Sequence, residues 1–129
     1  MKYLKLTSYF NIFIGFSMMI MWLFFIIFDM VPEFEEAPFE IATHLVAEFL
    51  TAITLVVSGV FLIKKLNGAN ILYYLSYGLL LYAVINSLGY FLDPFDIAMT
   101  SLFTLILIIS STLFVQNSKS FNNRATKKE

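Results

Sequence analysis

The sequence predicts an all-α polytopic membrane protein, a bundle of four transmembrane helices, and three observations support this prediction. Of its 129 residues, 60% are hydrophobic and only 13% are charged, whereas a soluble domain carries about 25% charged residues. Four long apolar runs follow one another along the chain. Basic and acidic residues are segregated into different connections between these runs. The length leaves room for one domain.

Four apolar runs predict four helices, with approximate bounds at residues 9–28, 41–63, 71–92 and 97–115. Each run approaches or exceeds the roughly 17–25 residues that a helix needs to cross a bilayer. Lipid offers the backbone no hydrogen-bonding partners, so helices are the expected form, and the alternating pattern of a membrane β-strand is absent. We therefore expect a transmembrane domain over residues 1–116 and a disordered cytoplasmic tail over residues 117–129.

The charged residues predict the orientation of these helices. Basic residues occur at the N-terminus, at Lys64 and Lys65 between the second and third runs, and in the tail, and the other two connections contain none. Positive charge stays on the cytoplasmic side of a membrane. The sequence therefore predicts that both termini are cytoplasmic, in a prokaryotic inner membrane, and that the acidic segment from Asp29 to Glu40 lies outside.

Local signals predict helix ends and an internal repeat. Gly68 follows the two lysines and is expected to cap the second helix at its C-terminus. Asp93, Pro94 and Asp96 are typical of the N-cap, N1 and N3 positions of the fourth helix. Asp29 and Asp93 each end an outward span and precede a proline. This similarity predicts two hairpins related as a parallel repeat.

Composition excludes several kinds of chemistry within this chain. It has no cysteine and a single histidine, so disulfide relay, thiolate catalysis, cysteine-bound clusters and multi-histidine metal sites are excluded. No hydrolytic, phosphate-binding or dinucleotide-binding motif is present. We therefore assign no catalytic residue, no metal ligand and no nucleic-acid partner. We interpret the acidic connection as a solvated loop, and the alternative is a divalent cation site among Glu33, Glu35, Glu36 and Glu40.

Glu48 and His44 are the ionisable residues that lie well inside the predicted spans. A charged side chain at mid-membrane costs about 2.5–3.5 kcal/mol on insertion scales, so such residues usually face a bundle interior or a wet cavity. The two residues are four positions apart and share one helix face. Thr51, Ser58 and Gly59 extend this face, so the second helix is predicted to turn a polar seam toward its neighbours.

Residues of the neighbouring helices reach the depth of Glu48. At 1.5 Å per residue, Glu48 lies about 10 Å below the outer boundary, and antiparallel packing brings Asn86 and Tyr90 of the third span and Thr104 of the fourth to that level. We predict a ligand-binding or proton-handling cluster of His44, Glu48, Asn86, Tyr90 and Thr104. The alternative is that these side chains only join helices, which polar groups in membranes commonly do.

The stretch from Glu48 through Gly59, followed by a short loop and a third span, resembles the second helix of DoxX-like membrane proteins. The resemblance covers mainly Ala47 to Leu81, and Glu48 and Gly59 match the family pattern of a glutamate near the helix start and a Leu/Gly-rich run. It implies a small four-helix fold. It also implies a link to quinone-coupled oxidation, to maturation of cofactor proteins or to assembly of membrane proteins.

Three functions are consistent with these features. The leading interpretation is a non-catalytic integral membrane protein that binds a protein partner, a second copy or a small lipophilic ligand through the polar site. The second is a membrane subunit of a quinone-linked oxidoreductase, with Glu48 or His44 handling a proton. The third is a proton-coupled transporter that acts as an oligomer. The cofactor implied by these interpretations is unknown, with quinone and lipid as candidates.

Overall fold

A computed structural model describes residues 2–31, 33–92 and 96–125 of the chain. Within these residues all regular structure is helical: α1 (Lys2–Ile27), α2 (Glu33–Glu36), α3 (Pro38–Lys64), α4 (Ala69–Leu92) and α5 (Ile97–Ala125). The four long helices contain 24 to 29 residues and are long and apolar enough to cross a membrane. The prediction of a multi-pass helical membrane protein is confirmed at this level.

The four long helices form an up-down-up-down bundle. Helix α1 packs most extensively on α3, α3 on α4, α4 on α5, and α5 returns to α1, so that α1 and α4 are diagonal. We call the end where α1 begins and α5 finishes the N-terminal end, and the opposite end the α2 end. An apolar core lies between these ends around Ile14, Leu55, Leu80 and Val84.

Glycines set the spacing of α1 and α3. A methyl group on Gly59 would lie 2.6 Å from the Ser8 carbonyl oxygen, and one on Gly15 would lie 2.6 Å from the Ala52 carbonyl oxygen. Both distances are shorter than carbon and oxygen can approach, so only glycine permits this contact. The close approach explains why the α3 face containing Gly59 is buried. The polar seam predicted for this helix therefore faces the bundle interior.

The C-terminal end of α3 differs from the sequence prediction. Helix α3 ends at Lys64, and its C-cap is Lys65, which has a left-handed φ of 53°. The amide of Leu66 donates to Phe61 O and that of Lys65 donates to Leu62 O, the bonding pattern of a Schellman cap. Gly68 is therefore not the C-cap of α3, and its carbonyl instead accepts the first bond of α4, from Leu72.

Helix α5 begins one residue after Asp96, whose carboxylate Oδ1 accepts the Met99 amide at 3.0 Å. Asp96 is therefore the N-cap rather than the N3 residue, because its side chain pairs the amide three residues later. The predicted roles of Asp93 and Pro94 fall outside the described residues.

The predicted end of the last span is too early. Helix α5 continues to Ala125, ten residues beyond Val115. Asn117 is fully buried, and the Phe121 ring lies 6.2 Å from that of Tyr73. Residues 117–121 therefore belong to the packed bundle rather than to a disordered tail, because they contact α1 and α4. Residues 126–129 lie outside the described residues.

Gly59→Ala should lower the free energy of unfolding by about 1–3 kcal/mol, the usual cost of overfilling a packed interior. The added methyl group meets a backbone carbonyl, which a side-chain rotation cannot relieve. Gly78→Ala is the matched control: nothing lies within 4 Å of the added methyl group, and alanine favours a helix by about 0.5–1 kcal/mol. Thermal unfolding followed by circular dichroism in micelles should show opposite shifts. Equal shifts for both variants would contradict close packing at Gly59.

Candidate functional site

The candidate site lies at the α2 end and consists of Trp22, His44, Glu48 and Asn86, which we call the Glu48 site. Glu48 is on the buried face of α3, and 7% of its side chain is exposed. Trp22 of α1 donates its indole N–H to Glu48 Oε2 at 3.4 Å, and His44 Nε2 lies 3.9 Å from Glu48 Oε1. Each carboxylate oxygen thus faces a polar group of a different residue.

His44 connects the buried carboxylate to the bundle surface. Its ring is 28% exposed and packs edge-on against Trp22, with ring centroids 5.6 Å apart. Asn86 of α4 donates Nδ2–H to His44 Nδ1 at 3.3 Å. With Nδ1 as the acceptor, the proton of a neutral ring is on Nε2, on the side that faces Glu48. The result is a chain of polar contacts from the exposed Asn86, through His44, to the buried Glu48.

The predicted cluster is only partly brought together. His44, Glu48 and Asn86 are in one chain of contacts, although Asn86 contacts His44 and not the carboxylate. Tyr90 instead donates its hydroxyl to Glu33 Oε1 of α2 at 3.2 Å, which ties the short helix to α4. Thr104 is exposed and donates to the Thr100 carbonyl oxygen of its own helix at 2.7 Å.

The sequence prediction missed Trp22. It is the only tryptophan of the chain, and it closes the Glu48 site from α1. The register between α1 and α3 explains its position. The two helices run antiparallel, and the pairing of Asn11 with Ser58 brings residues near position 22 to the level of Glu48. The sequence pattern within each helix does not reveal the register between the two helices, so it does not predict the contact between Trp22 and Glu48.

A second polar region, also missed, lies near the N-terminal end. Asn11 donates Nδ2–H to Ser58 Oγ at 2.9 Å, and the Ser76 hydroxyl approaches the same oxygen at 3.0 Å. Asn117 Nδ2 lies 2.6 Å from Thr7 Oγ1 and 3.4 Å from Tyr73 OH. We call this set the polar layer; its six members are Thr7, Asn11, Ser58, Tyr73, Ser76 and Asn117. It joins all four long helices through hydrogen bonds.

The apolar core around Leu55 separates the polar layer from the Glu48 site. Leu55 is fully buried, and Ile14, Leu80 and Val84 pack with it. Glu48 and Ser58 are ten residues apart on α3, which corresponds to about 15 Å along the helix. The two polar regions are therefore distinct: this apolar core lies between them, and the buried Thr51 and Thr54 hydroxyls at its level donate to carbonyl oxygens of their own helix.

The chemistry available at the Glu48 site is hydrogen bonding and proton exchange. Imidazole and carboxyl groups can both donate and accept, and Asn86 presents an amide at the surface. Among the described residues, no three histidine, aspartate or glutamate side chains come together to hold a metal ion.

The whole chain matches one protein-family model. Residues 1–129 match the family described as "Domain of unknown function (DUF8058)", and the chain belongs to this family. No curated protein and no solved structure matches the chain.

The free energy of unfolding of Glu48→Leu should be about 1–3 kcal/mol lower than that of Glu48→Gln, because this is the usual cost of leaving a buried polar group unpaired. Glutamine can still accept the Trp22 N–H and contact His44, whereas leucine can do neither. Thermal unfolding in micelles measures the difference. Because Trp22 is the sole tryptophan, its fluorescence should change more in the Leu variant. A Leu variant as stable as the Gln variant would show that these contacts add nothing.

Proposed function

We propose that this member of the DUF8058 family is a small non-catalytic integral membrane protein that binds a partner at the Glu48 site. The observation that carries the proposal is the chain of contacts from exposed Asn86 through His44 to buried Glu48. A carboxylic acid inside a membrane span is costly and is usually retained for a function. Here the carboxyl group of Glu48 contacts Trp22 of α1, and His44 connects it to the surface.

The partner we favour is a lipophilic molecule with a hydrogen-bonding head group. Asn86 and the His44 ring edge form a small polar spot at the junction of α3 and α4, and elsewhere the outer surfaces of these two helices expose apolar side chains such as Ile85 and Val46. A head group would pair with the spot while its hydrocarbon portion lies along the apolar surface. A polar side chain of another membrane protein, or of a second copy, would use the same groups.

A second candidate is a membrane subunit of a quinone-linked oxidoreductase. The observation that favours it is the 3.9 Å approach of His44 Nε2 to Glu48 Oε1, since a histidine beside a carboxyl group is suited to moving a proton. The resemblance of residues Ala47 to Leu81 to DoxX-like proteins supports the same class. Membership of that group remains a proposal, as does quinone as the ligand.

A transporter is the least supported of the three functions. A proton path through one chain would have to connect the Glu48 site with the polar layer. The side chains of Ile14, Leu55, Leu80 and Val84 lie between them, and the hydroxyls of Thr51 and Thr54 at that level donate to carbonyl oxygens of their own helix. An oligomer would have to supply the path between its chains.

We also propose that both termini are cytoplasmic in a prokaryotic inner membrane. Lys5, Lys64, Lys65 and Lys119 have exposed side chains and all lie at the N-terminal end of the bundle, whereas the exposed acidic residues of the α2 segment lie at the other. Such segregation follows the positive-inside rule. The two-hairpin repeat inferred from Asp29 and Asp93 is likewise a proposal, and Asp93 lies outside the described residues.

Topology reporters test this orientation. A reporter inserted after Lys65 or fused after Glu129 should give a cytoplasmic signal, and one inserted beside Glu35 should give a signal from the opposite side, because basic segments are retained in the cytoplasm. The activity of fused alkaline phosphatase and the fluorescence of fused green fluorescent protein provide complementary readouts. A cytoplasmic signal at Glu35 would contradict the orientation.

Ligand co-purification tests the binding function. Native mass spectrometry of the protein released from mild detergent should detect one bound lipophilic species in the wild type. Glu48→Gln should lower the bound fraction, because we expect it to weaken binding at least about tenfold, which corresponds to about 1.4 kcal/mol. Glu40→Gln is the matched control, because it makes the same acid-to-amide change at an exposed position on the same helix and should retain the ligand.

Equal ligand occupancy in the wild type and both variants would contradict binding at Glu48. A stoichiometric protein in place of a small molecule, lost only in Glu48→Gln, would identify the partner as a membrane protein. Bound quinone would favour the oxidoreductase subunit.

A further inference from the structure

A small cavity lies inside the bundle at the level of the polar layer, apart from the Glu48 site. It measures about 10 Å³ and is lined by residues of three helices: Thr7, Phe10, Asn11, Tyr73, Tyr77, Leu80, Ser110 and Leu113. One water molecule requires roughly 10–15 Å³ of such space together with two to four polar partners. The cavity has the volume for one water molecule, and most of its lining residues carry a polar group.

The hydrogen bonds of the polar layer leave three groups on this cavity unpaired. Asn117 donates Nδ2–H to Thr7 Oγ1 and Tyr73 OH, so both hydroxyl oxygens act as acceptors and each keeps its own proton. Asn11 donates Nδ2–H to Ser58, which leaves its carbonyl oxygen. Among the described residues, no hydrogen bond uses either hydroxyl proton or this carbonyl oxygen.

The geometry points to an internal water site at Thr7, Asn11 and Tyr73. A water molecule accepts two hydrogen bonds and donates two. Here it accepts from the Thr7 and Tyr73 hydroxyls and donates to the Asn11 carbonyl oxygen. All three side chains are buried, with exposures of 1%, 3% and 2%, so an unpaired group at any of them is costly.

This water molecule bridges two helices whose backbones are not in close contact. Helices α1 and α4 are diagonal in the bundle, and their described residues make no close backbone contact. Thr7 and Asn11 lie on α1 and Tyr73 on α4. At this level the diagonal gap is spanned by a hydrogen-bonded solvent molecule, whereas at the level of Leu55 it is filled by hydrocarbon side chains.

A crystal structure from a lipidic mesophase, at a resolution that places ordered water, tests the proposal directly. We expect one density peak within hydrogen-bond distance of Thr7 Oγ1, Tyr73 OH and Asn11 Oδ1. Tyr73→Phe should lose this peak and melt at a lower temperature, because one donor to the water is gone. Tyr74→Phe is the matched control: it removes the hydroxyl of the adjacent, exposed tyrosine and should keep the peak.

A wild-type cavity that is closed, dry or filled by a side chain would overturn the proposal. So would an unchanged density peak in Tyr73→Phe. If that variant does not accumulate, Thr7→Val removes the other donor with little change of shape, and loss of the peak is expected there as well.

Discussion

The close contact between α1 and α3 is the constraint on which the remaining structure depends. Gly15 and Gly59 let the two backbones approach within the distance that a single methyl group would block. In lipid, helix association relies on packing and on polar contacts, because there is little hydrophobic drive between helices. This contact fixes the rotation of α3, and the rotation places Glu48 against Trp22 and Ser58 against Asn11.

The bilayer then determines where polar groups are tolerated. A polar side chain in hydrocarbon needs a partner inside the protein. The Glu48 site and the polar layer lie on either side of an apolar core, and the buried Thr51 and Thr54 hydroxyls between them donate to carbonyl oxygens of their own helix. The polar layer is nearly inaccessible, and its hydrogen bonds connect all four long helices, which suits a role in joining them. The Glu48 site differs because His44 and Asn86 carry its contacts to the surface. This difference in access is why we place binding at one region and structure at the other.

The sequence was sufficient to predict the features that depend on one helix at a time. Apolar length identified the four long helices, and the four-residue spacing of His44 and Glu48 identified the buried seam of α3. Features that depend on register between helices were not predictable in this way. Glu48 and its partner Trp22 are 26 residues apart in the chain, and Asn117 and its partner Thr7 are 110 residues apart. Thr104 lies at a suitable depth, but its side chain is exposed, and its hydroxyl donates to the Thr100 carbonyl oxygen of its own helix.

The end of α5 shows the same limit. Residues after Gln116 are polar by composition, which is typical of a disordered tail. In the bundle, Asn117 is buried by partners from α1 and α4, and Phe121 joins the aromatic side chains of α4. Burial of a polar residue by distant partners leaves no local pattern in the sequence.

We infer that Glu48 is enclosed by the bundle and yet is reached from the lipid side through His44 and Asn86. Labelling with dicyclohexylcarbodiimide, a lipophilic reagent for carboxylic acids, tests it most directly when the adducts are located by peptide mass spectrometry at mildly acidic pH. A water-soluble carbodiimide provides the comparison. We expect the lipophilic reagent to modify Glu48 and the water-soluble one to modify only the exposed acids near α2, such as Glu35 and Glu40. Modification of those acids by both reagents, with Glu48 unmodified by either, would contradict the account.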